Sequence, residues 1–261
     1  IPRDLLLVSA LLILVPLMVP EWILFIMTKS LFMFIAVSGV AFMLRGGLLT
    51  FGHALFYATG AYTVGFMVKW FGVQELLIVL PLGALTGFIM AALVGLVMAR
   101  YREVFFAMLN LAFSMMLFGA LLKFYRVTNG TDGLPIGTPT LLGFEIESDS
   151  LSFYYFSLVI VAIVAYVIHR FMASPNGFYL RALHDNEIRI EYSGVSVRQV
   201  VYRTYILAGT LGGVSGVLAA FTIGHIVPED AFWIQSGEFV FVALLGGFGG
   251  LAGPLMGSFA F

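Results

Sequence analysis

The chain has 261 residues, 61% of them hydrophobic and only 10% charged, with a formal net charge of -1 and no cysteine. Soluble domains are about one-quarter charged, so the composition excludes an ordinary soluble enzyme and fits a polytopic membrane protein with the lipid bilayer as its surroundings. The near-zero charge gives no footprint for nucleic acid, and the missing cysteine removes disulfides, thiolate metal sites and a cysteine nucleophile.

In chain order, apolar windows predict membrane helices near 5–27, 31–49, 54–70, 77–99, 104–123, 151–171, 200–224 and 238–261, most of them close to the roughly 20 residues that a span needs. The expected fold is therefore all-α and polytopic, with at least eight transmembrane segments in one domain over 1–261. The first window lacks a small-residue cleavage site followed by a soluble domain, so it reads as a retained membrane helix and not a signal peptide. The region 31–70 is interrupted by Arg45-Gly46-Gly47 and by Phe51-Gly52-His53. A broken or re-entrant helix is expected there, because glycine weakens a helix and frees backbone groups that need other partners. The last window stops inside an apolar run, and the native chain is expected to continue.

With the N-terminus cytoplasmic and alternating spans, Arg3, Arg45, Arg100, Arg102, Arg170, Arg181, Arg189, Arg198 and Arg203 lie inside, and Lys29, Lys69, Lys123 and Arg126 lie outside. Nine against four follows the positive-inside rule. The loop 124–150, with Asp132, Glu145, Glu147 and Asp149, then faces out. Gly83/Gly87, Gly209/Gly213, Gly212/Gly216 and Gly253/Gly257 have the spacing of close helix contacts, most convincingly at 209–216.

Residues 173–203 form a polar, charged island in an otherwise apolar chain. Pro175-Asn176-Gly177 signals a turn. Phe178 to Tyr192 then reads as one amphipathic helix, with Phe178, Leu180, Leu183, Ile188 and Ile190 apolar and Arg181, Asp185, Glu187 and Arg189 charged. Ser193-Gly194 suits its C-terminus. Such a helix either presses into a groove on a soluble partner or lies at the interface with no partner.

Nucleotide chemistry is not expected in this chain. There is no GxxxxGK[ST] motif, and Gly247-Phe248-Gly249-Gly250-Leu251-Ala252 lies in an apolar run with no preceding strand. It reads better as an unwound membrane segment. His53, His169, His184 and His225 share no metal-ligand spacing. Polar or irregular groups at membrane depth mark a candidate solute path: Phe51, Gly52, His53 and Tyr57 in the interrupted region, Asn110 and Ser114 on one helix face, and Glu238 at the start of the last window. Each has a plainer reading: His53 as an interhelical hydrogen bond, Asn110 and Ser114 as packing contacts, Glu238 as a first-turn helix acid. The stretch Thr128 to Asp132 reads as a lid, a docking surface or a simple turn.

The segments GLLTFGHALFYATGAYT (Gly47 to Thr63), FAMLNLAF (Phe106 to Phe113), VTNGTDGL (Val127 to Leu134), RALHDNEIRIEYSGVSV (Arg181 to Val197) and SGEFVFVALLGGFGGLAGPLMGS (Ser236 to Ser258) carry a family resemblance. The chain resembles the branched-chain amino acid ABC transporter permeases of the LivM/LivH type, which include relatives for urea and amides. The resemblance implies a permease subunit of an ATP-driven importer in the bacterial inner membrane. Its implied partners are a second permease, two ATPase subunits and a periplasmic binding protein; ATP and Mg are bound by the ATPase and no cofactor by this chain. It also implies that the island, about 173–199, is the cytoplasmic coupling loop, with Arg181, Asp185, Asn186, Glu187 and Gly194 at the ATPase interface. The match to an EAA-x-x-x-G motif is loose, since Glu187 stands one position out and both alanines are absent. Urea, amide or aromatic-acid transport are alternatives within the family. An ion-coupled secondary transporter is the alternative outside it, although only Glu238 and Glu21 approach membrane depth.

Overall fold

The computed structural model describes residues 12–261. Arg3 and the start of the first predicted window lie outside the described residues. Ten helices of at least six residues follow in order: α1 (Glu21–Leu44), α2 (Ala54–Phe66), α3 (Leu76–Met98), α4 (Glu103–Lys123), α5 (Leu151–Met172), α6 (Pro175–Asp185), α7 (Glu187–Tyr192), α8 (Val197–Ile223), α9 (Trp233–Gly246) and α10 (Ala252–Ala260). Five of them, α1, α3, α4, α5 and α8, are long and apolar enough to cross a bilayer. Four two-residue strands complete the architecture: β1 (Leu134–Pro135), β2 (Thr140–Leu141), β3 (Phe144–Glu145) and β4 (His225–Ile226).

The predicted boundary at Lys29-Ser30 is not a boundary. α1 runs straight through it, and the chain turns earlier, at Val15–Leu17 and Pro20. Pro20 holds an extended conformation as the N-cap of α1, a place where its missing N–H costs nothing. Lys29 stays on the helix because its long stem carries the ammonium to the surface.

α1 and α8 form the interior. In each, 78% of the most apolar window is buried, against 28% in α3, 22% in α4 and 33% in α5. The inner pair is therefore walled by protein, and the outer three offer apolar faces to lipid. α8 packs on α1, α2 and α3, and small residues make this possible. Gly60 of α2 and Gly83 and Gly87 of α3 all meet the backbone of α8 around Gly209 and Gly213, and Gly216 meets the carbonyl of Tyr57. Backbones in contact gain dispersion energy that the equally apolar lipid cannot match. The expected cluster at 209–216 is thus the seam of the bundle. Gly253 and Gly257 do the same for α10 against α9.

The expected interruption lies between α1 and α2. Gly47, at φ +71°, lets the Leu48 N–H bond back to the Met43 carbonyl and closes α1. The chain then returns into the bundle without helix as far as His53. A second non-helical entry comes from the opposite end. β4 pairs antiparallel with β1, and a turn at Pro228–Ala231 drops to the level of Ser114 before α9 begins. The last predicted window is not one span. α9 is 14 residues, about 21 Å, and residues 247–251 reverse the chain into α10, which climbs back along α1.

Loop 124–150 is folded. β2 and β3 form a hairpin whose two turn residues, Leu142 and Gly143, both have positive φ. This turn type favours Asn-Gly. Here Glu75 holds it from outside: its carboxylate accepts from the Leu142 N–H at 2.6 Å, the Thr140 hydroxyl at 2.9 Å and the Gly143 N–H at 3.3 Å. The Leu142 N–H chiefly, with those of Thr140 and Gly143 and against a smaller desolvation effect, holds the Glu75 carboxyl below its ordinary value of 4.5. A depressed folded value means that the contribution is present above the unfolded value and lost as pH falls through the folded one. Limited proteolysis of residues 140–145 is therefore expected to stay slow at pH 7 and to accelerate below the ordinary carboxylate range. Glu75→Gln should remove most of that pH dependence.

Candidate functional site

Two places bring the candidate residues together. The first is the buried start of α2. Gly52 packs so tightly on α4 that a Cβ there would sit 2.2 Å from the Asn110 carbonyl oxygen. Asn110 itself is fully engaged: its amide donates to the Phe106 carbonyl at 2.8 Å and its oxygen accepts from the Tyr205 hydroxyl at 2.5 Å. Ser114 donates to the Ala231 carbonyl at 2.7 Å. These two residues therefore tie α4 to α8 and to the entry of α9. Phe51 is half-buried at the approach to Gly52.

His53 is completely buried in a slot beside Gly39 and Gly212, edge-on to Phe56 and Phe239. Neither ring nitrogen has a hydrogen-bond partner, so the expected interhelical hydrogen bond is not made. Tyr57, one turn on, meets the edge of Phe239 at 5.4 Å between ring centres. Asp230 and Glu238 both lie near enough to act electrostatically on Tyr57. Glu238 is the sixth residue of α9, beyond its first turn, and accepts from Gln235 at 3.1 Å. Position thus brings His53, Tyr57 and Glu238 to one junction, with Asn110 and Ser114 as its structural wall.

The sequence reading missed Ser236. Its hydroxyl accepts from the buried Ala54 N–H at 2.9 Å and so caps α2 from another helix. No local pattern signals a bond between residues 182 apart. Removing the partner leaves a buried N–H unsatisfied, at a cost of about 1–3 kcal/mol. Ser236→Ala is expected to lower the thermal unfolding midpoint of the purified protein; an unchanged midpoint would show that the bond is dispensable.

The second place is the island. The expected turn at Pro175-Asn176-Gly177 is instead the first turn of α6, with Pro175 at the favoured first position. The expected single helix is two, because Asn186 is extended and caps α7 by accepting from the Arg189 N–H at 3.2 Å. This break divides the apolar residues. Leu180, Leu183 and Ile190 are buried, whereas Phe178, Ile188 and Tyr192 are exposed. Gly194, at φ +82°, ends the segment in the left-handed conformation expected of it.

The charged residues of the island have neighbours in this same chain. Arg181 donates to the Met172 carbonyl at 3.0 Å at the end of α5. Glu187 pairs with Arg102, in the turn between α3 and α4, at 3.2 Å. Asp185 is exposed beside His184. The arginine-rich ends of α1, α3, α5 and α8 all meet this segment's side of the bundle, while Lys69, Glu75 and loop 124–150 lie at the other.

The family model described as branched-chain amino acid transport system, permease component, matches residues 22–261. The chain is 28% identical over 226 residues to the high-affinity branched-chain amino acid transport system permease protein LivM of Escherichia coli, covering 78% of this chain and 53% of that one. It is 26% identical over 188 residues to a probable branched-chain amino acid transport permease protein LivM of Methanocaldococcus jannaschii, covering 71% and 54%. A guanosine ABC transporter permease protein, NupP of Bacillus subtilis, is 34% identical over 92 residues, covering 34% and 26%. The chain spans about half the length of the LivM relatives it matches. No solved structure matches it.

Proposed function

We propose that this chain, which belongs to the branched-chain amino acid transport permease family, is one membrane subunit of an ATP-driven importer for branched-chain or related amino acids. The family match across nearly the whole chain carries the reading. The absence of a phosphate-cradling motif in the sequence supports a separate ATPase as the source of energy. Its partners are two ATPase subunits, a second permease and a periplasmic binding protein, in the inner membrane.

In this reading the island end is cytoplasmic, as is the N-terminus, and α6–α7 is the coupling element. The exposed side chains of Phe178, Ile188 and Tyr192, with Asp185, form the surface that meets the ATPase; Arg181, Asn186, Glu187 and Gly194 hold that surface in shape. A zwitterion cannot cross hydrocarbon without losing its hydration. The path therefore opens beside the two non-helical entries, where Phe51, Gly52, His53, Tyr57 and Glu238 replace water. The unpartnered nitrogens of His53 suit a group that finds its partner only in another state of the cycle.

The likeness to the guanosine permease favours a second substrate class, nucleosides. Reconstitution of the chain with its ATPase, second permease and binding protein separates them. ATP-dependent uptake of labelled leucine is expected to exceed that of guanosine, and the reverse ratio would assign the nucleoside reading. Uptake by this chain without the ATPase would remove both.

A further inference from the structure

A small open cavity of about 270 Å3 lies where the C-terminal end of α1 meets α6, lined by Arg45, Arg181, His184, Asp185, Phe248 and Gly249. It gathers two guanidinium groups on different elements. Arg45 follows the last residue of α1 and uses its Nε to hold the Phe248 carbonyl in the α9–α10 reversal. Arg181, on α6, gives its Nε to Gly177 and one terminal nitrogen to Met172. These acceptors are neutral carbonyls. Among the described residues neither arginine forms an ion pair; the acid at the rim, Asp185, is solvent-exposed and turned to His184 at 3.7 Å. Burial first, and the neighbouring charge of Arg181 second, push Arg45 below its ordinary value. Two like charges face one hollow with spare N–H donors and no counter-ion.

We infer that this hollow binds a phosphate group. Two guanidinium forks match the oxygens of a phosphate better than any other common anion. Position indicates its source. Arg45 ends a membrane-spanning helix, and Gly46 beside it lies under Leu180 of α6, so the cavity is on the bilayer side of α6 at headgroup depth. Basic pockets between membrane helices on this side suit anionic lipid headgroups. A phosphate bridging Arg45 and Arg181 would pin α6 to α1 and to the α9–α10 reversal. This site does not rest on the transport reading, since its test measures binding and stability alone.

The test uses the full chain in nanodiscs of phosphatidylcholine alone or with phosphatidylglycerol, followed by thermal unfolding and by mass spectrometry of retained lipid. Wild-type protein should unfold at a higher temperature with phosphatidylglycerol and retain it. Arg45→Gln and Arg181→Gln should each weaken retention about tenfold and remove most of the shift. Arg198→Gln, at the same end but lining a different hollow, should keep both and so controls for general surface charge. Inorganic phosphate added to phosphatidylcholine discs tests the alternative source: an arginine-dependent shift there would confirm the phosphate site and make its ligand soluble. Equal behaviour of wild type in both lipids and with phosphate, or equal loss in Arg198→Gln, overturns the proposal. Should both glutamine variants fail to fold, Arg45→Lys and Arg181→Lys take their place, with intermediate retention expected.

Discussion

Gly60→Ala is expected to abolish accumulation of folded protein. The added methyl carbon would stand 2.0 Å from the Gly213 carbonyl oxygen and 2.7 Å from its carbonyl carbon and Cα. All three are backbone atoms, so no side chain can swing away; α2 and α8 must separate. Their separation also strips contacts between Gly216 and Tyr57 and between Gly213 and α3. A forced shift of this kind costs about 3 kcal/mol, a large share of a stability that is itself only about 5–15 kcal/mol. Fluorescence-detected size-exclusion chromatography of a tagged chain reads the result directly. Gly119→Ala provides the control, because nothing lies within 4 Å of the position that its methyl group would take. A monodisperse Gly60→Ala peak equal to that of the control would refute the seam.

The second large effect is expected in coupling. Glu187→Arg puts two arginines face to face where Arg102 and Glu187 now pair. The pair is partly exposed, so its direct contribution to stability is under about 1 kcal/mol and the protein should still assemble. ATP-dependent uptake should nevertheless fall about tenfold or more, the scale of a lost coupling between two sites, because α7 is no longer fastened to the α3–α4 turn. Adding Arg102→Glu restores the pair with its signs reversed and should restore most of the uptake. Normal uptake in the single variant would show that the pair carries no motion. A dead double variant would instead place Glu187 in direct contact with the ATPase.

Much of this architecture was legible in the chain itself. Hydropathy located the five long helices, since an apolar run of this length has few other fates. Glycines at 46–47 and 52 announced the interruption after α1, and those at 209–216 announced the seam. The errors were local signals with two meanings. Pro175 opens a helix as readily as a turn, and Asn186 reads as a tolerable interior residue until its extended backbone makes it a cap. The apolar run 238–261 has the composition of one span, yet the close approach of Gly246 to Gly253 needs two.

The candidate site was half legible. Residue type and depth singled out His53, Tyr57 and Glu238, and these do converge. Type alone did not separate them from Asn110, whose polar atoms are consumed by Tyr205 and Phe106. Nor did it reach Ser236 or the partner of Glu187, 182 and 85 residues from the groups they meet. Such bonds depend on where the fold delivers a segment, which no window of sequence contains.

The cap on α2 also sets an order for biosynthesis. Ala54 enters the bilayer early, but the hydroxyl that satisfies its N–H belongs to a residue made 182 positions later. At about 5–20 residues per second, the ribosome needs roughly 10–40 seconds to deliver it. For that interval the nascent chain holds an unmet donor at membrane depth, a state that hydrocarbon penalises. The first third of the protein must therefore wait near water, the insertion machinery or another polar shelter until α9 arrives to release it.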